Sequence, residues 1–333
     1  MKKQIFLIVM LAFFAVVVTD TASGQALHNT AANTVSCVST PLSPIAGNLV
    51  TYSATGTPPG GNFQWWATTK QSFIAAGVNN IGTKLTVPDS LLAASASYGN
   101  TTTTNNVDIT WSTAALNRAK TVPTFVVVQY DAPVTGCANN LEVIKITPTN
   151  AFTLDITSMA VDGSSSAGYG IDVAQCYAIT ASAIYDAGAD KVTMDYGINT
   201  MYFEVVAANF TGDFNPNLQL SGLNALQTAV VTWGYSIATA TTALTLGTPF
   251  TATTNLPDTH LGVSFYVKVV ISNHGWEGLN PDIITLSVDG TNSVGDPDVD
   301  ASCAENTPFA DVATQTLSVR PTVITTPASL GKN

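Results

Sequence analysis

The sequence predicts an all-β chain of two successive antiparallel β-sandwiches. Three observations carry that expectation. Short runs of alternating apolar and polar residues recur along the chain, separated by Gly, Pro and Asn, which is the signature of sandwich strands. Threonine is β-branched and favours strands, and it is abundant. Glutamate is depleted in strands and occurs only at Glu142, Glu204, Glu277 and Glu305. No stretch longer than about two turns repeats its apolar residues at the 3.6-residue helical period.

The chain opens MKKQIFLIVMLAFFAVVVTDTASGQ. Lys2 and Lys3 make a basic start, residues 5–18 an apolar stretch, and Ala22 and Gly24 take the −3 and −1 places of a cleavage site. Residues 1–24 therefore read as a signal peptide. The apolar stretch falls short of the roughly 20 residues a spanning helix needs, so no membrane span is expected. The mature chain, from Gln25, is expected to be secreted or held at the cell surface. Residues 25–36 lack apolar periodicity and read as a flexible arm.

The first sandwich is expected over 37–148, with strands at 49–56, 63–69, 84–87, 107–111, 124–130 and 141–146. A helical turn is expected at 88–96, where Pro88 and Asp89 suit a helix start. The pattern restarts after Pro148. A second, larger sandwich is expected over 149–320, with strands at 151–159, 176–186, 191–196, 201–210, 218–223, 229–236, 263–272, 282–290 and 314–320. The tail, 321–333, is polar and punctuated by proline. Length agrees with two domains, because single cores rarely grow past about 250 residues.

Of the 333 residues only 10% are charged, and the net charge is −11. That excludes nucleic acid as a partner, since phosphates demand clustered Lys and Arg. A 46% hydrophobic content is unlike that of a disordered chain. The cysteines are Cys37, Cys137, Cys176 and Cys303. An even count in an exported chain reads as disulfides, with three connectivities open. The spacings are too long for a zinc knuckle. Each half has one cysteine near its start and one near its end, so the expected pairs are Cys37–Cys137 and Cys176–Cys303.

The stretch PIAGNLVTYSATGTPPGGNFQWWATT (44–69) resembles the start of immunoglobulin-like and PKD-like modules of bacterial secreted surface proteins. There a G-x-x-V-x-Y strand leads through a turn to a strand carrying tryptophan. The matching residues are Gly47, Val50, Tyr52 and Trp65 or Trp66. VSFYVKVVISNHGWEGLNPDIITLSVDG (263–290) is similar to the late hairpin of repeat-type immunoglobulin-like modules. The resemblance implies tandem immunoglobulin-like sandwiches and a surface role, and it carries over no functional residues. It departs from the antibody pattern, because Trp65 lies 28 residues after Cys37.

The chain has no G-x-S-x-G, H-E-x-x-H, P-loop or G-x-G-x-x-G motif. Its histidines, His28, His260 and His274, are scattered, and Glu204 lies on a period-2 strand where an outward glutamate is ordinary. No catalytic residue is assigned and a non-enzyme is expected. The densest polar cluster is VDGTNSVGDPDVDASC, where Asp296, Asp298 and Asp300 present alternating hard oxygens suited to Ca²⁺. The EF-hand pattern fails, because Ala301 and Thr307 stand where its glycine and glutamate belong. The plain reading is a solvated acidic loop, so no cofactor is expected beyond this Ca²⁺ candidate. Trp66 and Trp276 are the candidates for stacking on a glycan ligand.

The first functional reading is a structural or adhesion protein, a subunit of an extracellular filament or surface array. It would associate with itself or with other surface proteins, through a low-charge surface and an arm able to pair along a sheet edge. The alternatives are a carbohydrate-binding module and a secreted hydrolase. The hydrolase would need a pocket with at least two convergent carboxylates.

Overall fold

A computed structural model of the chain describes residues 35–133, 139–253 and 262–323. The expected signal peptide, most of the arm, Cys137 and the end of the tail lie outside the described residues. The chain is all-β and divides into two compact units. One is Val38–Thr149; the other runs from Asn150 and includes residues 35–37. Cys37, expected to open the first sandwich, thus belongs with the second unit.

In the first unit, Leu49–Ser53, Asn106–Trp111 and Leu91–Ala94 form a three-stranded sheet with Asn106–Trp111 central. Thr101–Thr102, Asn62–Thr68, Phe125–Asp131 and Asn140–Lys145 form, in that order, a four-stranded one. Alternation puts Val50, Tyr52, Val107, Ile109 and Trp111 from the first sheet against Phe63, Trp65, Val126 and Val128 from the second. The Trp111 indole N–H donates to the Tyr52 hydroxyl at 3.1 Å inside this core.

One local expectation is corrected here. Residues 88–96 hold the strand Leu91–Ala94 rather than a helical turn, because Leu91 is wholly buried and the segment pairs with Asn106–Trp111. The helix lies instead at Thr113–Thr121. Ser112 caps it, its hydroxyl accepting from the Ala115 N–H at 3.1 Å, and Ala115, Leu116 and Ala119 turn into the core.

In the second unit, a six-stranded sheet runs Ser166–Gly168, Thr153–Met159, Ile198–Ala208, Val263–Ser272, Thr228–Gly234 and Thr242–Ala243. A four-stranded sheet runs Val173–Cys176, Asp311–Ser318, Asp282–Asn292 and Phe214–Ser221. All pairings are antiparallel except that of Val173–Cys176 with Asp311–Ser318. Pro216 is tolerated because Phe214–Ser221 is an edge strand. The core is the space between the sheets. Leu154, Ile156, Phe203, Val205, Phe265 and Val267 meet Leu218, Ile284, Leu286, Val288 and Leu317 across it. Between Ser182–Asp186 and Lys191–Asp195 a separate hairpin forms.

The expected disulfides, Cys37–Cys137 and Cys176–Cys303, are replaced by Cys37–Cys303, with Cα atoms 5.7 Å apart. The reason is placement: the Ser36 N–H and hydroxyl both bond the Ala301 carbonyl, at 2.6 and 3.0 Å, which lays Cys37 beside Cys303. Cys176 is exposed and unpaired.

Phe265 is wholly buried and packs on Phe214, Trp233 and Phe250. Phe265→Ala is expected to cost about 3–5 kcal/mol. Val230→Thr, at a position 63% exposed on the neighbouring strand, should cost less than about 0.5 kcal/mol. Urea titration of both variants checks the contrast.

Candidate functional site

The strand Thr153–Met159 is buried along its whole length on both faces. Leu154 and Ile156 face the core, so alternation turns Thr153, Asp155 and Thr157 the other way. The strand also lies close to Asp311–Ser318: the Ser158 hydroxyl donates to the Thr314 carbonyl at 2.6 Å, and the Gln315 amide to the Met159 carbonyl at 3.3 Å. An aspartate in such a strand is expensive to bury, since a carboxylate leaves water only at a large cost unless it is paired.

Asp155 is not alone. Asp298 is buried against the start of the same strand, accepting the Leu154 N–H at 2.7 Å. The Asp298 N–H in turn donates to the carbonyl of Gly290 at 3.1 Å, a position where only glycine fits. A Cβ there would lie 2.5 Å from the Asn215 carbonyl and 2.7 Å from Leu154 Cδ1. The Asn306 side-chain amide donates to both Asp311 (2.6 Å) and Asp298 (3.3 Å). Thr153, Asp155, Tyr169, Asp300, Asn306 and Asp311 are among the residues lining a cavity of about 410 Å³. Two oxygens of this wall, Asp155 Oδ2 and Thr153 Oγ1, are buried with no hydrogen-bond partner.

The electrostatics follow from burial. Asp155 is pushed up to about 8 by desolvation and then by the charge of Asp311. Asp298 is raised by desolvation and then by Asp311, and Asp311 is raised by desolvation. Asp298 and Asp311 interact directly, so the two carboxyl groups titrate as a pair rather than singly. The Tyr169 hydroxyl is raised by burial and by the charges of Asp311 and Asp155. Exposed Asp300 is held low, chiefly by the Ser302 hydroxyl at 2.7 Å.

The residues expected from sequence are placed differently. Asp296, Asp298 and Asp300 do not share a site. Asp296 accepts from the Asn292 amide at 2.7 Å, Asp298 points inward, and Asp300 is turned outward where the Cys303 N–H closes on its carbonyl. The loop turns between them, so alternation fails to bring the three together. Among the described residues no three Asp, Glu, His or Cys side chains are grouped to hold a metal ion.

Trp66 is wholly buried and has no face to offer a glycan. The outer face of its strand is crossed by the following excursion, whose Asn79 donates to Gln64 and Gln129 at 2.6 and 2.8 Å. Trp276 is half-buried, its indole N–H donating to Asp282 at 2.6 Å and to the Tyr177 hydroxyl at 3.1 Å. Arg320 lies over the Tyr177 and Tyr196 rings, 5.4 and 4.9 Å from their centroids. That cluster anchors the chain after Asp311–Ser318.

Sequence reasoning missed Thr153, Asp155, Asn306 and Asp311. The available signal was Asp155 itself, an acid inside FTLDITS, a run otherwise fit for burial.

No known protein family and no curated protein matches the sequence. Among solved structures, the CupB6 tip adhesin from Pseudomonas aeruginosa is similar at a TM-score of 0.27 and 8% identity, over 81% of this chain and 90% of that one. A likeness that faint carries no argument about what the chain does. No helix among the described residues is long and apolar enough to cross a membrane.

The buried acids make stability depend on pH. Asp155 keeps its proton in the fold to about pH 8, whereas an unfolded aspartate loses it near about 4. Its contribution is thus full below about pH 4 and is lost as pH rises through about 8. In buffer free of divalent ions, Tm is expected to fall between pH 5 and pH 9, and Asp155→Asn should flatten that fall. A Tm that rises over the range contradicts the assignment.

Proposed function

We propose that this chain is a non-enzymatic, exported structural or adhesion protein with immunoglobulin-like sandwiches, acting at the cell surface with copies of itself or with other surface proteins. The observation that carries this reading is the Cys37–Cys303 bond. Structural disulfides belong to oxidising, extracytoplasmic compartments. This one joins positions 266 residues apart. Residues 38–302 therefore form a closed covalent loop, which tension applied to the chain on its two sides cannot lengthen. The load crosses from Cys37 to Cys303 and runs on into Asp311–Ser318.

Asn306 is bonded to Asp311, so the load reaches this strand near its start and leaves at its far end. The strand is held on both edges, by Val173–Cys176 and by Asp282–Asn292. Its ladders are loaded in shear, all together, rather than opened one bond at a time. That suits a chain pulled between two surfaces. The glycan-stacking alternative is left without Trp66.

Single-molecule extension tests the load path. With the disulfide intact, stretching should release only chain outside the 37–303 loop; after reduction it should release both units. Full extension under non-reducing conditions defeats the reading. Sedimentation of the mature protein at high concentration tests assembly, and a monomer throughout removes the filament role.

A secreted hydrolase is the second reading, favoured by the presence of Asp155 and Asp311 in one cavity wall. Hydrolysis of any glycoside in a substrate panel that Asp155→Asn abolishes would replace the first reading with this one.

A further inference from the structure

We propose that the cavity beside the Cys37–Cys303 bond is a Ca²⁺ site, with the ion held by the carboxylates of Asp155 and Asp311 and the hydroxyl of Thr153, and with water completing its shell. The site shares no ligand with the Asp296–Asp300 loop, and its scaffold is a pair of strands rather than a loop.

The starting point is two oxygens that lack partners. Asp155 and Thr153 are 5% and 4% exposed, stand two residues apart on one strand face, and both line the cavity. Neither Asp155 Oδ2 nor Thr153 Oγ1 meets a donor. Buried polar atoms are nearly always satisfied, and an orphaned one points to a missing water or ion. Here a water would satisfy the hydroxyl, while an ionised Asp155 would still need a cation beside it. The described wall supplies no compensation of its own: among the described residues it includes Asp155, Asp300 and Asp311 and no lysine, arginine or histidine. What the cavity lacks, among the described residues, is positive charge.

The donor atoms choose the kind of cation. All are oxygens, with no thiol or imidazole among them, so the site suits a hard ion rather than zinc or copper. Ca²⁺ takes six to eight oxygens in flexible geometry and accepts water among them. A cavity of about 410 Å³ is many times the ~30 Å³ share of one water, so it has room for a partly hydrated ion. Two carboxylates rather than three place the affinity among the weak extracellular sites, at roughly 10⁻⁴–10⁻³ M. That also accounts for the absence of a three-acid cage among the described residues.

Protons and the ion compete for the same oxygens. The groups facing Asp155 and Asp311 are Asp298, Asp289, Asp300 and the Tyr169 hydroxyl, none of them a cation. Loading the ion requires Asp155 to ionise, so binding strengthens as pH rises and fades in acid.

The test is thermal unfolding of the full mature chain at pH 8 and pH 5 in CaCl₂, MgCl₂ or NaCl at matched ionic strength. Expected is a Tm rise of several degrees with CaCl₂ at pH 8, saturating near millimolar, absent at pH 5 and absent in Asp155→Asn. Equal shifts in all three salts, or a shift that survives Asp155→Asn, overturn the proposal. Terbium luminescence locates the ion in case that variant fails to fold. Tyrosine-sensitised Tb³⁺ emission should be displaced by Ca²⁺ in the wild type. It should be weakened in Tyr169→Phe, with the Ca²⁺ competition unchanged. Emission indifferent to Tyr169→Phe places the ion elsewhere and defeats the assignment.

Discussion

The pairing of Ile198–Ala208 with Val263–Ser272 is the constraint on which the second unit depends. It runs unbroken from Ile198 opposite Ser272 to Ala207 opposite Val263. Strand side chains alternate faces, so one register decides every neighbour. With Phe203 opposite Val267 and Val205 opposite Phe265, the core side is apolar from Met201 to Ala207, while Tyr202, Lys268, Glu204 and Tyr266 face away. A slip by one residue would turn lysine and glutamate inward. The fixed register sets where Thr153–Met159 can add on one side and Thr228–Gly234 on the other. Through the first of these it also sets where Asp155 stands.

Much of this was legible in the sequence, because alternation is a local signal. The strands at 263–272, 282–292 and 125–131 fall where VSFYVKVVIS, DIITLSVDG and TFVVVQY place them. The helix Thr113–Thr121 was not seen. Its apolar residues, Ala115, Leu116 and Ala119, are small and too few to stand out over nine residues, although Ser112 offered a capping signal. KLTV, which has a strand's composition, joins no sheet. Composition describes what a segment tolerates, and a ladder needs a neighbour.

The candidate site was legible only in part, for the same reason. Asp298 lies in the acidic loop that the sequence singles out, but its partner, the Leu154 N–H, is 144 residues away. Asp155 sits in a strand that was anticipated, yet burial on both faces is a property of the sheet and not of the segment. The disulfide was misplaced because bracketing cysteines look like domain staples. Nothing in the local sequence reveals that residues 35–37 return to the second unit. Where a chain breaks the rule that buried carboxylates are paired, some compensation must come from beyond its side chains, and the acidic cavity is such a place.

The separation of Cys37 from Cys303 has a consequence for how the molecule is made. A ribosome adding about 5–20 residues each second needs roughly 13–50 s to get from the first cysteine to its partner. For that interval Cys37 has no correct mate, while Cys137 and then Cys176 are produced beside it. The first unit is complete in sequence well before the bond can close. It must mature with an unpaired cysteine at its border and two further cysteines already in the chain. Correct closure thus becomes a problem of timing, and one for an isomerase wherever oxidation outruns synthesis.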